Sequence, residues 1–374
     1  MIPFNKPHIT GKEFEYIQQA ISSRNLSGDG VFTKKCHSFF ENKYGFKKAL
    51  LTTSCTDALE MAAILCNIKP GDEVIAPSYT FVSTVNAFVL RGATIKFIDS
   101  EQNTPNIDTG LIEQQITPNT KAIICVHYAG ISCHMDDLCE IAKKHNLILI
   151  EDVAQAIDGY YKEKPLGSFG TFSVFSFHET KNISCGEGGL LVINDEAFIN
   201  RAEIIRDKGT NRKSFINGEV DKYGWVDIGS SFLPSELNAA YLFSQLENLD
   251  NIQSKRKELW NYYYSKLKPL ENNKFIHLPF VPNYSSNAAH SFYIVCNSLN
   301  ERTQLISHLK TNGITAFFHH ISLHNSKYYK EKHDGRNLPM SDYFTNNLVR
   351  LPLYFDLKLE DIDFICENIK AFYN

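Results

Sequence analysis

The sequence predicts an α/β protein in which a large, mainly parallel sheet covered by helices precedes a smaller α+β unit. Two observations carry this. Between residues 72 and 193, short apolar runs alternate with amphipathic stretches. The runs are apolar at consecutive positions, as in strands buried on both faces. After about residue 235 the texture shifts to long helical segments with little glycine or proline and few strand-like runs.

The elements follow in order. EVIAPS (73–78), TIKFID (94–99), AIICVHY (122–128), LILIED (147–152), FSVFSF (172–177) and GLLVIN (189–194) read as buried strands. HMDDLCEIAKKHN puts Met135, Leu138, Ile141 and Ala142 on one helical face, with Asn146 as a stop. Upstream, LLTTSCTDALEMAAILCN runs from a strand into a helix. SELNAAYLFSQLENLDNIQSKRKELWNYYYSKL reads as one long helix or a bent pair. HSFYIVCN and GITAFFHH read as strands flanking the helical ERTQLISHLKTN, and a last helix covers about 359–372. We place the division at residues 1–250 and 251–374.

The bulk numbers exclude several classes. A chain of 374 residues with 43% hydrophobic and 21% charged residues is an ordinary globular sequence. A net charge of -4 with no basic block argues against nucleic acid as a partner. Nine scattered cysteines without a CxxC pair read as reduced thiols, neither a disulfide framework nor a zinc site. The N-terminus lacks a signal pattern and no run reaches ~18 apolar residues, so the expected location is the cytoplasm, with no membrane partner.

In an open parallel sheet, ligands bind beyond the carboxyl ends of the strands. The residues there are Ser78-Tyr79-Thr80, His127-Tyr128, Asp152 with Gln155, and Ser176 through Lys181. Singly, each has a plainer explanation. Asp152 reads as a helix cap, Tyr79 as a core aromatic, Ser176 as a backbone-bonded hydroxyl, His178 as structural and Lys181 as a solvated loop charge. Ser54, Cys55 and Thr56 open a helix, where free N–H groups and the dipole favour an anion; an ordinary cap is the alternative. Neither GxxxxGK[ST] nor GxGxxG is present, which removes the usual support for nucleotide hydrolysis or a nicotinamide oxidoreductase. One cofactor uses all these parts. Pyridoxal 5'-phosphate needs a Schiff-base lysine, a carboxylate for its ring nitrogen, an anion cradle and a flat group on its face.

EDVAQAIDGYY (151–161) and LGSFGTFSVFSFHETKNISCGEGG (166–189) resemble the DegT/DnrJ/StrS sugar aminotransferases, of the aspartate aminotransferase-like fold type I. The resemblance covers nearly the whole chain. It implies that Lys181 carries the cofactor and moves the proton, that Asp152 pairs with the ring nitrogen, and that Gln155 bonds the ring hydroxyl. It further implies that Tyr79 stacks on the ring and that Ser176 with Ser54, Cys55 and Thr56 holds the phosphate. Relatives whose lysine is replaced by histidine are sugar dehydratases; Lys181 is present here.

LSGDGVFTKKC, PSYTFVSTVNAFVLRGA, VHYAG, RDKGTNR and VDKYGWVDIGSS resemble the branch that aminates TDP-4-keto-6-deoxyglucose at C4 with L-glutamate as donor. The implied product is TDP-4-amino-4,6-dideoxygalactose, for surface polysaccharide. The gluco epimer, C3 amination and a non-catalytic pyridoxal-binding regulator are the alternatives. The family's G-x-N-x-R segment reads Gly229-Ser230-Ser231-Phe232-Leu233 here, so Ser231 stands where an asparagine would reach the phosphate of a neighbouring subunit. That implies a homodimer with shared sites. Substrate-facing candidates are His178, Lys208, Asn211, Arg212, His319 and His320. His319, His320 and His324 lack the surrounding ligands of a metal site.

Overall fold

A computed structural model describes residues 1–373. Seven strands form the main sheet: β1 (Lys48–Thr52), β2 (Glu73–Pro77), β3 (Thr94–Ile98), β4 (Thr120–Val126), β5 (Ile148–Asp152), β6 (Phe172–Ser176) and β7 (Gly189–Ile193). Their spatial order is β1-β7-β6-β5-β4-β2-β3. Only β7 runs against its neighbours, pairing antiparallel with both β1 and β6. The remaining pairs are parallel.

Consecutive apolar residues are needed because the sheet is buried on both sides. Leu190 and Val192 enter one hydrophobic cluster, while Leu191 and Ile193 enter the other. Ile123 and Cys125 separate from Ala122 and Ile124 in the same way. The first face is covered by α1 (Glu13–Ser22) and α2 (Val31–Tyr44), and the second by α3 (Cys55–Leu65) and α4 (Ser83–Val89). α5 (Met135–Lys144) buries Met135, Leu138 and Ala142 on the first face, and Asn146 adopts the left-handed conformation (φ 52°) of a helix stop.

The long helical stretch is a pair, α6 (Glu236–Glu247) and α7 (Leu249–Asn272). From Leu259 onward α7 contributes to a separate core, shared with α8 (Leu299–Thr311), α9 (Leu359–Tyr373) and a three-stranded antiparallel sheet. That sheet contains β8 (Ile276–His277), β9 (Phe292–Cys296) and β10 (Leu348–Leu351). GITAFFHH is not a strand. Ile314 bridges to Ile2 and Phe317 to Arg350, so its hydrogen bonds change partner within three residues and no ladder builds. No helix among the described residues is long and apolar enough to cross a membrane.

One buried carboxylate braces the floor beneath the strand ends. Glu151 accepts from the backbone N–H groups of Gly167 (2.9 Å), Phe169 (2.8 Å) and Gly170 (2.7 Å), and from Ser173 Oγ (3.2 Å). Burial alone would raise its pKa; His127 and these N–H donors hold it low. His127 Nδ1 accepts the Cys133 N–H (3.2 Å), which leaves Nε2–H to donate to Glu151 (3.3 Å). Cys125, His127 and Cys133 have ligand atoms within 4.8 Å of one another. The Nδ1 lone pair is already spent on backbone, so the trio is a packed core element.

Candidate active site

A cavity of about 760 Å³ opens at the carboxyl ends of the strands and is closed on the far side by His290, Phe317, His319, His320 and Arg350. Each wall has a structural cause. β5 ends at Asp152, which is 5% exposed. Its Oδ2 accepts from Thr84 Oγ1 at 2.8 Å and its Oδ1 from the Ala154 N–H at 3.1 Å. Burial raises the Asp152 pKa, while these bonds and the Lys181 charge pull it back. Gln155 Oε1 accepts the Ala129 N–H (2.8 Å), which leaves its amide nitrogen to serve the cavity.

Lys181 sits in the loop after β6, its N–H bonded to the His178 carbonyl (2.9 Å). Burial lowers its pKa, Cys55 and Asp152 oppose that, and Arg350 adds to it. The following residue anchors the loop. Asn182 Nδ2 donates to Gln253 Oε1 (2.7 Å) on α7 and to the Ala288 carbonyl (2.8 Å), and its Oδ1 faces His290 Nδ1 (2.9 Å).

At the opposite end, α3 begins. Ser54 Oγ accepts the Asp57 N–H (3.1 Å) and donates to Asp57 Oδ2 (2.9 Å), so that hydroxyl is the helix cap. The donors left for an anion are the first-turn N–H groups of Cys55 and Thr56, which a helix gives no internal acceptor. Ser176 lines the same cavity. Gly189 lets β7 pass directly beneath this turn, since a Cβ there would lie 2.3 Å from the Ser54 carbonyl carbon.

The structure thus gathers Ser54, Cys55, Thr56, Asp152, Gln155, Ser176, His178, Lys181, His319 and His320 around one cavity. Tyr79 is corrected. It is 1% exposed and packs against Tyr128, His320 and Phe344 behind the wall. Of that loop's two aromatics, the one at the cavity is Phe81, 58% exposed, two residues later where the loop leaves the core; Phe4 and Phe317 line other parts of the wall. Lys208, Asn211, Arg212 and Ser231 are not brought to this chain's cavity. They lie on an excursion over 207–231, closed by the bridges Asp207–Ser231 and Thr210–Trp225. Lys208 pairs with Asp207 (2.8 Å), and Asn211 Oδ1 accepts the Gly224 N–H (2.8 Å).

Residues 7–370 match the DegT/DnrJ/EryC1/StrS aminotransferase family. The chain belongs to that family. As an aminotransferase of this family it uses pyridoxal phosphate as cofactor. The chain is 33% identical to the GDP-perosamine synthase of Escherichia coli O157:H7, over 100% of this chain and 99% of that one. A putative sugar aminotransferase of Streptococcus pneumoniae, Spr1654, in its PMP form, superposes with a TM-score of 0.92 at 27% identity, covering 100% and 99% of the two chains. PseC of Helicobacter pylori, an aminotransferase of pseudoaminic acid biosynthesis, superposes with a TM-score of 0.91 at 25% identity and the same coverage.

The donor set fits the cofactor. A buried carboxylate faces a lysine of lowered pKa, and a helix start with free N–H groups lies at the other end, where only glycine fits beneath it. Thr84, Phe81, Asn182, His290 and Arg350 escaped the sequence reading. Thr84 reaches Asp152 only because β2, β4 and β5 are neighbours, and the sequence leaves that order open.

The cavity histidines give a pH signature. Burial holds His290, His319 and His320 well below the usual histidine range, as it does His37 in the core. The unfolded chain takes up protons on these groups below about pH 6.5 and the folded chain does not, so stability falls as the pH drops through that value. Urea denaturation is expected to show a loss approaching ~1.4 kcal/mol per pH unit for each such histidine. A flat profile between pH 7 and 5.5 would contradict their neutral burial.

Proposed function

We propose that the protein is a nucleotide-sugar aminotransferase that moves the amino group of L-glutamate to the C4 ketone of TDP-4-keto-6-deoxyglucose, giving TDP-4-amino-4,6-dideoxygalactose. The observation that carries the aminotransferase reading is the single cavity joining Lys181, Asp152, Gln155 and the start of α3. The sugar rests on the sequence stretches that resemble the TDP-sugar branch.

When bound, pyridoxal phosphate supplies the electron sink for the carbon that loses a proton. Lys181 Nζ takes the proton from the donor carbon and returns one to the sugar carbon; its lowered pKa makes the neutral amine available. Asp152 would favour the protonated form of the cofactor's ring nitrogen, and Gln155, with its free amide nitrogen, would help hold the ring. Phe81 would supply the flat group against it. The Cys55 and Thr56 N–H groups with Ser176 would hold the phosphate. On the sugar side, the Tyr128 hydroxyl lies 2.6 Å from His319 Nδ1, and His320 stacks on His319 at 3.5 Å, so the pair is rigid.

The working unit is a homodimer. Trp225 is 84% exposed, and Ile216, Tyr223 and Val226 on the same excursion are also exposed, a surface suited to cover by a second chain. Ser231, Lys208, Asn211 and Arg212 would then serve the partner's site.

The resemblance to a GDP-perosamine synthase favours a second reading, in which the sugar is carried on GDP. Incubation with L-glutamate and TDP-, GDP- or UDP-linked 4-keto-6-deoxyhexoses, followed by NMR of the products, separates them. Turnover is expected with the TDP sugar and an axial C4 amine. Turnover confined to the GDP sugar would overturn the TDP assignment, and an amine at C3 would overturn the regiochemistry.

A further inference from the structure

Two buried hydroxyls form a chain that ends on Asp152. Thr84, in the first turn of α4, is 1% exposed, and Thr80, in the loop after β2, is 2% exposed. Their Oγ1 atoms lie 3.0 Å apart, and Thr84 Oγ1 lies 2.8 Å from Asp152 Oδ2. Both threonines line the cavity that holds Lys181. Packing alone would be served by valine, which has the same shape and no hydroxyl to desolvate.

The direction of the chain follows from what each group can donate. An ionised carboxylate only accepts, so Thr84 spends its one hydrogen on Oδ2, and Thr80 then donates to Thr84. The Ala154 N–H occupies Oδ1 at 3.1 Å. One internal donor on each oxygen fixes the plane of the carboxylate and leaves its other lone pairs free. Both donors favour the anion, against a burial that favours the neutral acid.

The ionisable groups that face Asp152 are Lys181 from the loop after β6, His127 just past the end of β4 and Cys55 at the start of α3. Lys181 must be neutral to take a proton, so its charge is no standing support for the carboxylate. His127 is committed to Glu151 (3.3 Å), and burial keeps the Cys55 thiol protonated. The Thr84 hydroxyl, by contrast, donates whatever the state of the lysine. The adjacent Ser83 Oγ accepts from Thr56 Oγ1 (2.9 Å), so this one turn of α4 is tied to both ends of the cavity.

We propose that Thr84, held by Thr80, is a positioning residue that keeps Asp152 turned and negatively charged for the cofactor's ring nitrogen. This rests on the assignment of Asp152 to that nitrogen and not on the identity of the sugar.

The full chain, stripped of cofactor, is reloaded with pyridoxal phosphate or with its deaza analogue, in which a C–H replaces the ring nitrogen. The two affinities are compared by fluorescence titration. In Thr84→Val the preference for the natural cofactor is expected to shrink about 10–100-fold, the worth of a hydrogen bond to a charged group. Affinity for the analogue should not fall. In the holoenzyme at neutral pH, nitrogen NMR of isotope-labelled cofactor should show the ring signal moving from the pyridinium toward the pyridine position. The kcat should drop by a similar factor with both KM values as in wild type. Thr84→Ser, which returns the hydroxyl, should recover all of these readouts, and Thr80→Val should move them the same way by less. An unchanged preference and ring signal in Thr84→Val overturn the proposal, as does an equal loss in Thr84→Ser, which would leave only packing. If Thr84→Val does not fold, Thr80→Val decides, and a wild-type preference there overturns the proposal. Asp152→Asn separates this inference from the assignment beneath it. If that variant keeps the wild-type preference, Asp152 does not serve the ring nitrogen and both fall; if only Thr84→Val keeps it, the aspartate's role stands and this one falls.

Discussion

Replacing Lys181 with alanine is expected to reduce amino transfer by at least about 10³-fold while leaving a folded protein. Two roles end together. The amine can no longer hold the cofactor covalently, and no other basic side chain in the cavity is placed to carry the proton. His178 is engaged with Thr180 (2.9 Å), His290 with Asn182 (2.9 Å) and His319 with Tyr128 (2.6 Å). Borohydride reduction should fix the cofactor on the wild-type chain and leave it removable from the variant. Folding should survive, because among the described residues the Lys181 ammonium has no ion-pair partner and burial already disfavours its charge. A variant that turned over within tenfold of wild type would sink the mechanism.

Asp152→Asn is expected to lower kcat about 10²–10³-fold with little effect on the melting temperature. Asparagine keeps the shape and an acceptor for the Ala154 N–H but loses the negative charge that a cationic ring nitrogen requires. Stability should hold or rise, since burial penalises the native carboxylate. Activity and stability thus move apart, which a merely structural aspartate would not produce. The decisive comparison is the kcat ratio beside thermal unfolding of the two holoenzymes. Equal losses in both would make Asp152 a folding residue.

The strands, and the residues at their ends, were legible because periodicity and position in the chain are local. The six apolar runs became six strands of one sheet, and Asp152, Gln155, Ser176 and Lys181 met at its rim. Lateral order was not legible. It decides that Thr84 reaches Asp152 across 68 positions and that β7 opposes its neighbours. The choice of ring-facing aromatic failed for a related reason. Tyr79 and Phe81 stand two apart in one loop, and only the packing of Tyr128, His320 and Phe344 shows which is taken inward. Arg350 lay in an ordinary strand, with no sign in the sequence that it would reach the cavity.

The tie from Asn182 to Gln253 and Ala288 bears on how such enzymes can be recombined. A chimera joined at 250/251 would inherit the lysine from one parent and both acceptors of its anchor from the other. Grafts that keep this trio from one parent should preserve the loop. Those that split it would inherit an intact catalyst on a loosened mount.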